Sequence, residues 1–359
     1  MPALNISARH VERADTRYVV DRPLTGQKET MVSTTAFPPD PSEFLADKVW
    51  VMDYAAKLRR QPGFAGADGN LPTVYMRTSG TMSWNIPVYA WLVRVGNIEA
   101  ATTDAALQVR RNNLAWAHDK ARIEREIRAC LKLRGLANAT ALGAGSRWDD
   151  ITSTSSDPIA NVQQACEAIK RRTGKKVDRW YLPEPAMRKL TQHEKIMAYA
   201  VNKLNLSKDR PIDEEILEAL IGKHYMAPGS CRVYDFTFND TQDSPRAAQA
   251  FVPKYPLGNR SVLMATATAG GVDGMDIGFG LAKYLDFLSG SIKDEAVITA
   301  GNEGIGVFEF PDHDVPGGGI KQQLVDAVEF WIQNQDAAWE ITGIVDSTNT
   351  AEYQSSLTF

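Results

Sequence analysis

The sequence predicts an α+β fold, in which helices and strands are mixed without regular alternation. A long amphipathic helix pattern covers Asp104–Arg134, and a second, shorter helix pattern follows Asp157. β-forming residues dominate Thr73–Arg94 and several stretches after Ser261. A doubly wound parallel sheet would need strict alternation of strands and helices, which this order lacks, so α+β is the expected class.

The best-defined element is a helix that starts after Asp157 and stops at Gly174. Asp157 suits the N-cap because its carboxylate accepts free backbone N–H groups, and Pro158 suits the first helical position. Gly174 follows where a left-handed residue is usually needed. Apolar residues recur three and four apart and form one face, made by Ile159, Val162, Cys166 and Ile169.

The helix predicted over Asp104–Arg134 is long for a globular protein, about 45 Å at 1.5 Å per residue. Gly135 is its expected stop. Its apolar face is formed by Leu107, Leu114, Ala121, Ile127 and Leu131. His118 falls on the charged face, where we expect a solvated or ion-paired side chain.

Two strands are predicted within Thr73–Arg94, with a chain reversal near Gly80. They form a hairpin that carries Trp84, Tyr89 and Trp91. Because an isolated two-stranded hairpin is only marginally stable in water, we expect it to pack on another surface.

The first 40 residues are polar and poor in apolar side chains. Pro38, Pro39 and Pro41 exclude a helix and favour extended chain. An arm of this kind becomes ordered only against another surface, and we expect a neighbouring subunit to provide it.

Composition sets the class of protein. With 359 residues and 43% hydrophobic content, the chain is long enough for two domains with their own cores. A net charge of −4 gives no general case for binding nucleic acid. Three widely separated cysteines fit reduced thiols. The sequence contains no apolar run of membrane-spanning length and no signal peptide.

No motif predicts catalysis or a cofactor. The five histidines include no His-Glu-x-x-His motif, and neither a phosphate loop nor a Gly-x-Ser-x-Gly elbow occurs. Asp312–Asp314 is the most metal-like cluster, but its glycine- and proline-rich surroundings favour a solvated turn. We therefore assign no catalytic, cofactor-binding or metal-binding residues and expect a protein that is not an enzyme.

The segment from Trp148 to Lys175 carries a specific resemblance. It contains Trp148–Asp150, Ser156–Ile159 and Thr173–Lys175 at spacings that resemble the start of the axial domain in major capsid proteins of tailed bacteriophages. Phe44–Val49 resembles the entry of the capsid arm into the peripheral domain. The resemblance extends from Phe44 to about Ala300, and encapsulin shells share this fold.

The resemblance implies five parts of one subunit. They are an N-terminal arm (1–48), an extended loop with strands of the peripheral domain (49–100), a spine helix with more of that domain (101–150), an axial domain (151–325) and C-terminal return strands of the peripheral domain (326–359).

The resemblance also implies a function. Such subunits self-assemble in the host cytoplasm as hexamers and pentamers of an icosahedral virion shell around double-stranded DNA. The implied partners are other copies of the chain, portal and scaffolding proteins, in some phages a decoration protein, and packaged DNA through non-specific contacts. No membrane is implied.

Two groups of residues are candidates for contacts between subunits. Trp84, Tyr89 and Trp91 are candidate loop anchors because aromatic side chains dominate many interfaces, with packing inside their own subunit as the alternative. The arm candidates are Arg9, Arg13 and Arg17, which would meet either DNA or a neighbouring subunit.

Some members of the family crosslink subunits through a lysine on the extended loop. No lysine occurs between Lys57 and Lys120, so we expect no such crosslink here. Two other functions remain open from the sequence: an encapsulin-type compartment without a genome, and a cytosolic α+β enzyme.

Overall fold

The computed structural model describes residues 31–52, 78–96, 106–207, 210–239, 253–267, 278–285, 297–300, 304–314 and 318–346. The helices in these ranges are α1 (Val32–Thr35), α2 (Ala106–Lys132), α3 (Pro158–Thr173), α4 (Glu184–Leu190), α5 (Glu194–Leu204) and α6 (Glu214–Ile221). The strands are β1 (Pro39–Ser42), β2 (Ala46–Met52), β3 (Thr78–Asn85), β4 (Val88–Gly96), β5 (Ala139–Ala141), β6 (Arg179–Pro183), β7 (Cys231–Tyr234), β8 (Phe238–Asn239), β9 (Pro253–Lys254), β10 (Arg260–Met264), β11 (Gly280–Leu285), β12 (Val297–Ala300), β13 (Ile305–Asp312), β14 (Gly319–Ile332) and β15 (Ala338–Thr342).

One sheet has five strands in the order β5-β15-β10-β6-β7. β10 is antiparallel to both of its neighbours, whereas β7 joins β6 and β5 joins β15 in parallel. Helix α3 packs against β15, β10 and α6. The mixed strand directions and the irregular order of helices and strands confirm the predicted α+β class.

The second sheet is built around β14, which is 14 residues long. Its order is β1-β11-β14-β13-β12, and β4 also pairs with β14. β14 pairs with β4 through Gly319–Ala327 and with β11 through Val328–Ile332. Helix α2 packs on β14 and β4. The domain boundary expected at residue 325 therefore falls inside a continuous strand.

Helix α3 has the ends that the sequence predicts. The Ala160 N–H donates to Asp157 Oδ1 at 3.0 Å, and Pro158 is the first helical residue. Gly174 has a left-handed φ of 72°. The four predicted apolar residues of this helix are all buried. Local capping and helical spacing were therefore sufficient to predict this element.

Helix α2 lies within the predicted range, and Gly135 beyond its end has a left-handed φ of 67°. The expectation for His118 is wrong: its side chain is fully buried, and Arg122 Nε donates to its Nε2 at 3.3 Å. Glu126 is also fully buried. Glu126 is covered because α1 packs on this helix, in addition to the sheet.

The predicted hairpin about Gly80 is wrong: its second strand exists as β4, whereas most of its predicted first strand lies outside the described residues. β3 pairs with β2, β4 pairs with β14, and Gly80 lies inside β3 opposite Val51. Alternation of side chains identifies strands but does not identify their partners. The ribbon is therefore β2–β3, and its connection, residues 53–77, lies outside the described residues.

The expectation that the whole arm lies on a neighbouring subunit is corrected for residues 31–42. Met31 and Phe37 are buried in the core of their own chain. β1 runs parallel to β11, with Pro39 opposite Ala282, so the extended chain predicted from the prolines is confirmed. Residues 1–30, including Arg9, Arg13 and Arg17, lie outside the described residues.

Candidate assembly surface

Strand β4 forms an edge of the six-stranded sheet. It pairs with β14 from Val88 to Gly96, and none of the described strands pairs with its other edge. The strand is nine residues long. An unpaired edge of this length presents a row of backbone donors and acceptors to any extended chain that approaches it.

Large apolar side chains are exposed on and around this edge. Val88 is 52% exposed and Leu92 is 55% exposed, and their spacing of four places them on the same face of β4. Phe310 is 39% exposed and lies two strands away, opposite Lys321, which is itself opposite Arg94. These positions make one side of the sheet apolar at its edge.

A second pair of exposed apolar residues lies beside the start of β4. Phe44 is 60% exposed and Leu45 is 41% exposed. The Leu45 carbonyl accepts a hydrogen bond from the Ile86 N–H at 2.7 Å, two residues before Val88. We call Phe44, Leu45, Val88, Leu92 and Phe310 the β4 surface. Exposed apolar groups of this kind mark interaction sites more often than single exposed residues do.

The three aromatic candidates occupy different environments. Trp84 is only 5% exposed, and its ring lies 5.7 Å from that of Trp331 in an edge-on arrangement. Trp91 is half-buried against the cluster that contains Leu114 and Leu324, on the α2 side of the sheet. For these two tryptophans the structure favours packing inside their own subunit, the alternative left open by the sequence.

Tyr89 is partly available. It is 41% exposed, and the Arg128 guanidinium lies 4.1 Å from the centre of its ring. Aromatic type alone did not single out the aliphatic residues Val88 and Leu92 as contact candidates. The signal for them was present, since both belong to the exposed half of the alternation in β4.

Balanced charges border the β4 surface at one end. Lys321 Nζ lies 2.7 Å from Asp314 Oδ2 and 3.1 Å from Asp312 Oδ1, and Arg94 Nε lies 3.7 Å from Asp312 Oδ2. The hydrogen bond from Lys321 lowers the pKa of Asp314. Asp312 is buried, which corrects the expectation of a solvated turn for this residue.

The reactive side chains that the sequence offers for chemistry, Ser156, His193 and the three cysteines, are buried in the interior. Ser156 Oγ and His193 Nε2 are 3.0 Å apart, but both residues are fully buried, so no substrate reaches them in this conformation. The three cysteines are buried, and burial raises the pKa of Cys166 to about 12. Within the described ranges, no group of histidine, cysteine and acidic residues has the arrangement of a metal site, and no helix there is long and apolar enough to cross a membrane.

Comparison with solved structures identifies the fold. A phage-related protein from Bordetella bronchiseptica RB50 matches with a TM-score of 0.62 at 15% identity, over 93% of this chain and 97% of that chain. The putative capsid protein of a prophage of E. coli CFT073 matches with a TM-score of 0.50 at 13% identity, over 95% of this chain and 99% of that chain. The chain has the major capsid fold of tailed phages.

Encapsulin shells share the capsid fold. The SrpI encapsulin of Synechococcus elongatus matches with a TM-score of 0.44 at 10% identity, over 99% of this chain and 100% of that chain, which is too low a similarity for further argument. No protein-family model and no curated protein matches the sequence. The resemblance noted at Trp148–Lys175 is thus confirmed at the level of the fold.

Proposed function

We propose that this chain is the major capsid protein of a tailed phage, which assembles as hexamers and pentamers into an icosahedral shell around double-stranded DNA. The supporting observation is the capsid fold together with the β4 surface, an apolar edge that the described residues of the subunit leave uncovered. The match to a phage-related protein, with a TM-score of 0.62, supports a phage origin for the chain, and the fold itself is shared with encapsulin shells.

The parts of the fold have matching roles in this proposal. The six-stranded sheet and α2 form the peripheral domain with its spine helix, and the five-stranded sheet with α3–α6 forms the axial domain. The β2–β3 ribbon is the base of the extended loop, and the arm precedes Met31. The divisions expected at residues 48 and 325 would cut β2 and β14, so in this proposal the arm ends before Met31 and the last division moves to the end of β14.

Cohesion of the shell then comes from buried area. Obligate interfaces commonly bury more than about 2,000 Å² in total, and apolar area contributes about 25 cal/mol per Å² removed from water. Each subunit contacts more than one neighbour, so modest interfaces add up over the shell. The β4 surface supplies apolar area. Two cations and two anions border it and sum to zero net charge: Arg94, Lys321, Asp312 and Asp314.

The proposal includes the partners that a phage head requires. Portal and scaffolding proteins direct closure, and a decoration protein is present in some phages. Packaged DNA meets the inner surface without sequence-specific contacts. A net charge of −4 agrees with a shell that encloses DNA without binding it along its length.

Electron microscopy of the purified protein tests the proposal. We expect closed shells or capsomer rings when the chain is produced with its neighbouring gene products, and nuclease-protected DNA when a packaging system is present. Shells that hold a specific protein cargo and no DNA would instead establish the encapsulin function. A monomer or small oligomer under all assembly conditions would contradict both and favour the enzyme alternative.

A further inference from the structure

The short helix α1 is capped by a residue far away in the sequence. Its N-cap residue, Met31, provides no side-chain hydrogen bond, and its first turn contains no acidic residue. Instead, Glu126 of α2 accepts hydrogen bonds from the Val32 N–H at 2.7 Å and the Ser33 N–H at 2.9 Å. A carboxylate that binds the free N–H groups of a first turn is the usual function of a local cap.

The Glu126 carboxylate also contacts the side of the core that is formed by the five-stranded sheet. The hydroxyl groups of Ser33 and Tyr234 hydrogen-bond to it, and Cys130 Sγ lies 3.8 Å from its Oε1. Tyr234 belongs to β7, and Glu126 belongs to the helix that covers the other sheet. One buried side chain therefore joins α1, α2 and β7.

Neighbouring contacts fix the rest of residues 31–37, which we call the arm root. Thr35 Oγ1 lies 2.7 Å from the Tyr181 hydroxyl of β6. The Phe37 ring lies 5.6 Å from that of Phe279 and 5.0 Å from that of Phe330. The arm root thus lies where the two sheets and α2 meet.

A fully buried carboxylate is a costly way to stabilise a core. Burial raises the pKa of Glu126, and the hydrogen bonds from Ser33, Val32 and Tyr234 act in the opposite direction. Apolar side chains of similar volume often stabilise a core as well as buried charges do, so a buried charge is weak evidence for a role in stability alone. Instead, the hydrogen bonds that Glu126 accepts from two successive backbone N–H groups fix the position of α1 relative to α2.

We propose that Glu126 is a positioning residue that holds the arm root in one orientation, so that residues 1–30 join every subunit at the same point and in the same direction. For assembly, this inference rests on the proposed function, because a uniform shell needs equivalent arms. The inference also applies to the unassembled subunit, because Glu126 and the arm root belong to the same chain.

Residue-resolved hydrogen exchange on the unassembled Glu126→Gln subunit tests whether Glu126 holds the arm root. The amide keeps the size of the side chain but replaces one acceptor oxygen by a donor, so the two N–H groups can no longer each bond to an oxygen of their own. We expect the Val32 and Ser33 amides to exchange at least about tenfold faster, the equivalent of losing about 1.4 kcal/mol of protection. Amides of α3 should keep their exchange rates.

Two further variants keep the test decisive. Glu126→Asp retains the charge but is one methylene shorter, and we expect intermediate exchange at Val32 and Ser33 even if Glu126→Gln fails to fold. Thr35→Val is the matched control, because it removes the hydroxyl contacts with Tyr181 and the Met31 carbonyl and leaves Glu126 in place. Unchanged exchange at Val32 and Ser33, or equally faster exchange throughout the core, would overturn the proposal.

Particle uniformity is the second measurement. If wild-type chains form regular shells, the folded Glu126→Gln variant should form fewer regular shells and more open or irregular ones, and regular shells at the wild-type yield would contradict the assembly role. Failure of the wild-type chain to assemble would count against the proposed function alone, since the exchange result is obtained on single subunits.

Discussion

At the scale of single residues, a buried lysine connects three strands. Lys283 of β11 forms an ion pair with Asp40 of β1, and its Nζ lies 4.4 Å from the Trp84 ring and 5.6 Å from the Trp331 ring. Its side chain is 3% exposed. The ammonium group is thus neutralised on one side and covered by aromatic faces on the other, which are favourable positions for a cation.

Lys283→Met should destabilise the subunit by about 3–5 kcal/mol, because it leaves the Asp40 carboxylate buried without its partner. Urea unfolding of the unassembled chain measures this loss. The double variant Lys283→Met with Asp40→Asn is the control, and it should recover much of the loss. A loss below about 1 kcal/mol in the single variant would show that water reaches Asp40 and that the pair is not a structural link.

His193 gives the subunit a dependence on pH. Burial and then the nearby Lys195 lower its pKa, and the carboxylates of Asp157, Asp150 and Glu194 offset this only in part. Because the folded-state pKa lies below the unfolded value near 6.5, the contribution of the neutral ring is complete above that value and is lost as the pH falls through the folded-state pKa.

We therefore expect the unfolding free energy to fall, as the pH drops below about 6.5, more steeply in the wild type than in His193→Gln. Gln keeps a hydrogen-bonding group near Ser156 but has no proton to bind. Denaturant titrations at half-unit pH steps give the difference between the two proteins, which also removes the background from other carboxylates. Parallel pH curves for the two proteins would refute the role of His193.

At the scale of elements, the sequence predicted helices better than strand pairing. The ends of α3 follow from Asp157, Pro158 and Gly174, because capping depends on residues within one turn. The partner of β3 does not follow from local sequence, since β2 is separated from it by residues 53–77. Burial of Trp84 depends on that partner and on β14, which explains why its aromatic character alone did not reveal its role.

Burial also decides which residue of β4 is the better test of a contact between subunits. Trp91 packs toward α2, so its replacement by alanine should impair folding as well as assembly. Leu92→Thr is the sharper change, because it introduces a β-branched, strand-compatible residue and removes an exposed apolar side chain. We expect at least a tenfold lower particle yield with an unfolding free energy within about 0.5 kcal/mol of the wild type.

Leu92→Val is the matched control for this experiment, because it retains an apolar side chain at the same position. Its particle yield, measured by sedimentation and electron microscopy, should stay near that of the wild type. Wild-type yield for Leu92→Thr would remove the β4 surface from the set of subunit contacts.

At the scale of the whole molecule, the fold was predictable because the Trp148–Lys175 segment resembles the corresponding segment of phage capsid proteins. The contact residues were less predictable, because exposure depends on which faces the two sheets and α2 leave free. The absence of a covalent crosslink stays a prediction, although Lys57 belongs to the sequence that joins β2 to β3. A denaturing gel of assembled particles distinguishes crosslinked multimers from single chains.

The continuity of β14 has a mechanical consequence. At about 3.3 Å per residue its 14 residues span about 46 Å, with β4 and β13 bonded to one end and β11 to the other. The two ends cannot tilt independently without bending a covalent backbone that is hydrogen-bonded along its length. A force on the end of β14 that pairs with β4 and β13 is therefore transmitted along the strand to β11, which pairs with β1.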